Sequence, residues 1–111
     1  MGRFVKGEVV VLPFPFSDLS ASKKRPALVI ASLESYDDVI LCMITSQHTK
    51  DGNAIFISAA DFEFGGLPKA SNVRPNRLFT ADANIILRSV GKLSAEKVDQ
   101  VVTEIVRLIT R

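Results

Sequence analysis

Apolar positions fall in short blocks until the last part of the chain. Val9-Val10-Val11-Leu12 follows Gly7-Glu8 and is closed by Pro13 and Pro15, a run long enough for a buried strand and too short for a helix. Pro26 fixes the entry to a second block, residues 27–31, and the polar turn 34–38 separates it from a third, residues 39–44. These two are expected to pair as a central hairpin. A loop, 45–53, containing the turn signal Asp51-Gly52 leads to Ile55-Phe56-Ile57, and residues 71–78 and 85–90 supply two further strands. Residues 61–69, with Gly65-Gly66 and Pro68, read as irregular, and the Ser-rich stretch 17–24 as a mobile loop. Short strands joined by short turns predict an antiparallel barrel or curled sheet, because parallel pairs each need a crossover helix.

Only the C-terminal segment carries a helical period. Val98, Val101, Val102, Ile105, Leu108 and Ile109 recur at three- and four-residue steps, after Ser94 as N-cap and with Leu93 and Val98 placed as a hydrophobic staple. Its β-branched residues lower intrinsic helix propensity, so this helix is expected to draw its stability from packing against the sheet or a partner subunit.

Composition narrows the class. The chain has 111 residues, 47% hydrophobic and 23% charged, which suits one packed domain over 1–111 and excludes a disordered or fibrous chain. Its longest apolar runs, 9–16 and 39–44, fall far short of the ~18 residues of a membrane helix. No apolar leader opens the chain, and Cys42 alone cannot form an intramolecular disulfide, so a reducing cytoplasm is the expected setting.

Fourteen Lys and Arg against 12 Asp and Glu leave a net charge of only +2, but the cations are bunched at Lys23-Lys24-Arg25 and at Arg74 and Arg77. A local basic surface attracts polyanions whatever the net charge. The single His48 rules out a two-histidine ribonuclease pair and, with Cys42 in mid-strand, leaves too few ligands for zinc. No metal or other cofactor is expected. What remains is Arg25 before one strand, Thr45 and Ser46 after the next, and Arg74 with Asn76 later. If 27–31 and 39–44 pair antiparallel, Arg25 and Thr45 share one end of the hairpin. A guanidinium fork beside a hydroxyl fits the shape and charge of a phosphate.

These residues lie in a longer pattern. Gly7-Glu8-Val9-Val10-Val11, Phe14-Pro15-Phe16-Ser17-Asp18-Leu19, Ser22-Lys23-Lys24-Arg25-Pro26-Ala27-Leu28-Val29-Ile30 and Ile44-Thr45-Ser46 closely resemble the MazF/PemK-like toxins of bacterial toxin–antitoxin modules. Gly66-Leu67-Pro68-Lys69, Ser71-x-Val73-Arg74, Phe79-Thr80 and Gly91-Lys92-Leu93-Ser94 extend the likeness along the whole chain. The resemblance implies an SH3-like antiparallel barrel of the CcdB/MazF type with a C-terminal helix. It also implies a homodimer, a cognate antitoxin, and metal-independent cleavage of single-stranded RNA.

On that resemblance Arg25 and Thr45 carry catalysis with Arg74 as a second cation, and Lys23, Lys24, Ser46, Asn76 and Arg77 contact RNA. Where one branch of the family has Arg-x-Asp, this chain has Arg74-Pro75-Asn76, and Asn76 cannot act as a carboxylate base. Asp18 and His48 are the candidates for acid–base work, with the general base unassigned. Two other readings stand beside this one: a CcdB-like gyrase poison, against which the Arg-Pro and Thr-Ser motifs speak, and a catalytically silent barrel that only binds RNA or protein.

Overall fold

The computed structural model describes residues 4–14, 23–34, 37–47 and 52–111. Asp18 and His48 lie outside the described residues. Seven strands, β1 (Glu8–Phe14), β2 (Lys23–Ser32), β3 (Asp38–Thr45), β4 (Ile55–Ile57), β5 (Phe62–Gly65), β6 (Ser71–Asp82) and β7 (Arg88–Leu93), precede one helix, α1 (Ala95–Ile109). The sheet order is β4-β6-β3-β2-β1-β7-β5, every neighbouring pair being antiparallel. Among the described residues no helix is long and apolar enough to cross a membrane.

The core shows that the sheet curls. Ile57 on β4 and Leu93 on β7 belong to one buried cluster with Val98, Val101 and Ile105 of α1. In a flat sheet those strands, five places apart, would stand ~24 Å from each other. Curling brings both against a single helix face. The opposite face has its own buried cluster, with Val10, Leu12 and Phe14 of β1, Ala27 and Val29 of β2, and Val39 and Leu41 of β3. Both faces of the central strands are therefore covered, which is why their sequences are continuous apolar blocks rather than alternating ones.

The helix starts where its sequence signals place it. The Ser94 hydroxyl accepts a hydrogen bond from the Lys97 N–H at 3.3 Å, and the staple residues Leu93 and Val98 are both buried. Its apolar stripe is buried at Val98, Val101 and Ile105, with Val102 half-buried against them; Ile109 is 71% exposed. Near the C-terminus, Arg107 pairs with Glu104 at 2.5 Å and reaches Asn53 at 3.3 Å, tying the helix to the turn before β4.

Several boundaries differ from expectation because pairing overrides local sequence; β6, for one, runs past Leu78 to Asp82, paired with β3 as far as Asp38. Lys23 and Lys24 are strand, not loop: they lie opposite Phe14 and Pro13. Pro13 does not end β1, because the pairing of β1 with β7 stops at Val11, leaving the missing N–H on the unpaired side. Residues 62–65 form an edge strand on β7 in place of irregular chain. The last strand begins at Arg88 rather than Ile85, which lies in a 3-10 turn, Ala83–Ile85.

Candidate functional site

Strand register brings the hairpin's two candidate groups together. Ala27 of β2 pairs with Met43 of β3, where the β2–β3 ladder ends, and strand alternation from that pair puts Arg25 and Thr45 on one face at the same end of the hairpin. Both are half-buried. The Thr45 Oγ1 accepts a hydrogen bond from the Gln47 N–H at 3.1 Å, which fixes the hydroxyl and leaves its own proton to be donated elsewhere. Thr45 also pairs with Asn72 of β6, so Arg74, two residues further along β6, approaches from the next strand.

Beyond Asn72 the β6 register breaks. Two residues along β3, from Cys42 to Ile44, correspond to five along β6, from Val73 to Leu78. The extra residues fall within Arg74-Pro75-Asn76-Arg77, where Pro75 has no N–H for the ladder. A bulge of this kind re-aims side chains, and these belong to the sequence-predicted set. Inside it, the Cys42 thiol donates to the Arg74 carbonyl at 2.9 Å. Burial pushes the Cys42 thiol up to about 12, so it stays protonated and is no nucleophile.

A cleft of about 400 Å³ opens beside this hairpin end. Lys24, Arg25 and Pro26 of β2 border it, with Val11 of β1 and with Ile44 and Ser46 at the end of β3. The β5–β6 connection adds Leu67, Pro68 and Lys69, β6 adds Ser71, and β7 adds Arg88. Four cations and two hydroxyls thus surround an apolar floor with no carboxylate in the lining. The cleft does not include Thr45 or Arg74. Arg77 borders a separate hollow of about 300 Å³ with Met43, Leu78 and Phe79. Lys23 and Asn76 are exposed.

Lys69, Ser71 and Arg88 are additions that sequence reasoning did not place at a site. A glycine pair makes the approach of Lys69 possible. Gly65 has φ +69, and a Cβ there would meet the Val90 carbonyl oxygen at 2.1 Å, so only glycine lets the end of β5 lie on β7. The Gly66 N–H then donates to that carbonyl at 3.0 Å, and the connection turns toward Arg88's end of β7. The Ser71 hydroxyl donates to the Lys69 carbonyl at 3.0 Å, holding the far end of the turn. Among the described residues no three His, Cys, Asp or Glu side chains gather into a metal-holding group.

Comparison with known proteins adds to this geometry. Residues 5–109 match the sequence model of a family described as the PemK-like, MazF-like toxin of type II toxin–antitoxin systems. No curated protein matches the chain. Among solved structures, an endoribonuclease in complex with its cognate antitoxin from a mycobacterial species is similar with a TM-score of 0.75 at 12% identity, over 96% of this chain and 94% of that one. MazF from Deinococcus radiodurans is similar with a TM-score of 0.75 at 18% identity, over 97% of both chains. The Mycobacterium tuberculosis toxin MazF-mt6 is similar with a TM-score of 0.71 at 18% identity, over 92% of this chain and 95% of that one.

Proposed function

Because the chain belongs to the PemK-like, MazF-like toxins of type II toxin–antitoxin systems, we propose that it is an endoribonuclease that cuts single-stranded RNA without a metal. The observation that carries this reading is a cleft lined by four cations, Arg25 among them, at the end of the β2–β3 hairpin where Thr45 also lies. Similar folds in solved endoribonucleases, one bound to its antitoxin, support it. The CcdB-like alternative needs neither Arg25 nor Thr45.

In the proposed reaction the ribose 2′-hydroxyl attacks the adjacent phosphorus and the bond to the 5′-oxygen of the next nucleotide breaks. The products are a 2′,3′-cyclic phosphate and a 5′-hydroxyl. One proton leaves the 2′-oxygen and one reaches the departing 5′-oxygen. Arg25 stabilises the charge building on the non-bridging oxygens, and the Thr45 hydroxyl donates to one of them. Preorganised donors of this kind are worth on the order of 3 kcal/mol each in the transition state. Arg74 is the proposed second cation, and Asp18 and His48 are the candidates for proton transfer. Lys23, Lys24, Ser46, Asn76 and Arg77 would contact the flanking RNA.

We further read the active form as a homodimer blocked by a cognate antitoxin, whose acidic segment would compete for the phosphate positions. The test is incubation of the purified protein with single-stranded RNA in excess EDTA, with chemical mapping of the ends and light scattering on the same sample. Cleavage leaving cyclic phosphate and 5′-hydroxyl ends, by a dimer, is expected. Loss of cleavage on chelation with recovery on adding magnesium overturns the mechanism, and a monomer at micromolar concentration overturns the dimer.

A further inference from the structure

Lys69, in the β5–β6 connection, and Arg88, at the start of β7, both border the cleft, and neither belongs to the Arg25 and Thr45 hairpin end. Strand alternation separates the two groups. Val11 pairs with both Pro26 and Arg88, placing these three on the sheet face occupied by the helix-side core. Leu12 pairs with Arg25, on the other face, where continued register also puts Thr45. Arg25 borders the cleft at the strand end, so it stands between the hydroxyl on one side and the apolar floor with Lys69 and Arg88 on the other.

An apolar floor rimmed by cations and hydroxyls, without a carboxylate, matches the two halves of a nucleotide: a flat base and a phosphate. We propose that this cleft is a subsite for the nucleotide flanking the one whose phosphate lies at Arg25. The base rests against Val11, Pro26 and Leu67, and the flanking phosphate lies between Lys69 and Arg88. This assignment rests on the ribonuclease reading for its substrate class. Lys69 and Arg88 act in holding RNA, not at the bond that breaks. Their placement is built into the fold through the Gly65–Gly91 contact, which admits no Cβ on either glycine: one on Gly91 would meet the Phe64 carbonyl oxygen at 2.6 Å.

The test compares the wild-type protein with the double variant Lys69→Ala/Arg88→Ala; both positions are exposed, and unchanged melting is the check on folding. Two measurements are made: KM and kcat on an RNA containing a mapped cleavage site, and the affinity of a fluorescein-labelled, mixed-sequence single-stranded RNA by anisotropy across a salt series. The expected result is a KM raised about tenfold or more with kcat held within twofold. The log–log salt slope should fall by about 1.4, since each phosphate contact on a single strand contributes roughly 0.7.

Unchanged KM and salt slope in a double variant that still cleaves overturns the subsite and leaves the ribonuclease reading standing. A fall in kcat at constant KM also overturns it, by placing the two cations at the reacting bond. If the wild type binds RNA with the expected slope difference but does not cut it, the cleft assignment holds and the ribonuclease reading falls. Absence of RNA binding by the wild type overturns both.

Discussion

Ile44 and Thr45 are neighbours in the chain and stand on opposite faces of β3. Ile44 is 1% exposed and packs into the cluster that α1 closes, a cluster of ten buried side chains drawn from six strands and the helix. Thr45 ends the strand half-buried, its hydroxyl held by one backbone N–H, at the hairpin end where Arg25 also lies. The helix-side core spreads its task over many interchangeable apolar groups, each adding transfer and packing energy. The strand end concentrates its task in a few polar groups whose value depends on direction and charge. In the core, shape complementarity among neighbours decides; at the site, the identity of single atoms does. Stability and activity should therefore come apart under mutation.

The largest effect is expected from cutting into the shared core. Leu28 is fully buried on β2, and Leu28→Ala should cost about 2–5 kcal/mol of folding stability, because the cavity adds to the lost transfer energy. Thermal melting would show a fall of roughly 10 °C or more. RNA cleavage, measured well below the new transition, should stay within threefold of wild type. A folded Leu28→Ala protein without activity would break the separation between the two faces.

The next largest effect runs the other way. Arg25→Ala should lower cleavage by ~10²-fold or more, the loss seen when one preorganised transition-state partner is removed. Its half-buried place near the end of β2 should keep the change in stability within about 0.5 kcal/mol. Near-wild-type cleavage by the folded variant would take Arg25 out of the mechanism.

The same contrast explains what could be read from the sequence. Strands β1 to β4 coincide with apolar blocks bounded by Pro, Gly and polar turns, and α1 follows from the Ser94 cap and the spacing of Val98, Val101 and Ile105. Phe62-Glu63-Phe64-Gly65 did not read as a strand because an edge strand owes its existence to its partner, and Gly65-Gly66 mimics a loop until β7 is seen passing 2.1 Å from the missing Cβ. Lys23 and Lys24 read as loop because a charged run carries no pairing signal, yet Pro13 and Phe14 lie across from them. That Arg25 and Thr45 share one hairpin end was legible, since the pairing of two adjacent apolar blocks suffices to put them there. Lys69 and Arg88 were not, because their meeting depends on the order β1-β7-β5, which no local pattern encodes.

Cys42 links the two regions, and its effect is the smallest of those expected. It is buried in the helix-side cluster, while its thiol donates to the carbonyl of Arg74 in the bulge beside the site. Burial raises its pKa from 9.0 to about 12. Above its ordinary pKa the unfolded chain releases this proton while the folded chain keeps it, so alkali favours unfolding. The stabilising contribution is complete below pH 9 and is lost as pH rises from there toward 12, at about 1.4 kcal/mol per pH unit. Cys42→Ala removes the titrating group together with its hydrogen bond. Denaturant unfolding at pH 8 and pH 10 should therefore show the wild type losing about 1.4 kcal/mol more than the variant over that interval. Equal losses would mean that the thiol ionises in the folded protein, which requires water to reach the seam where the helix-side core meets the Arg74 bulge.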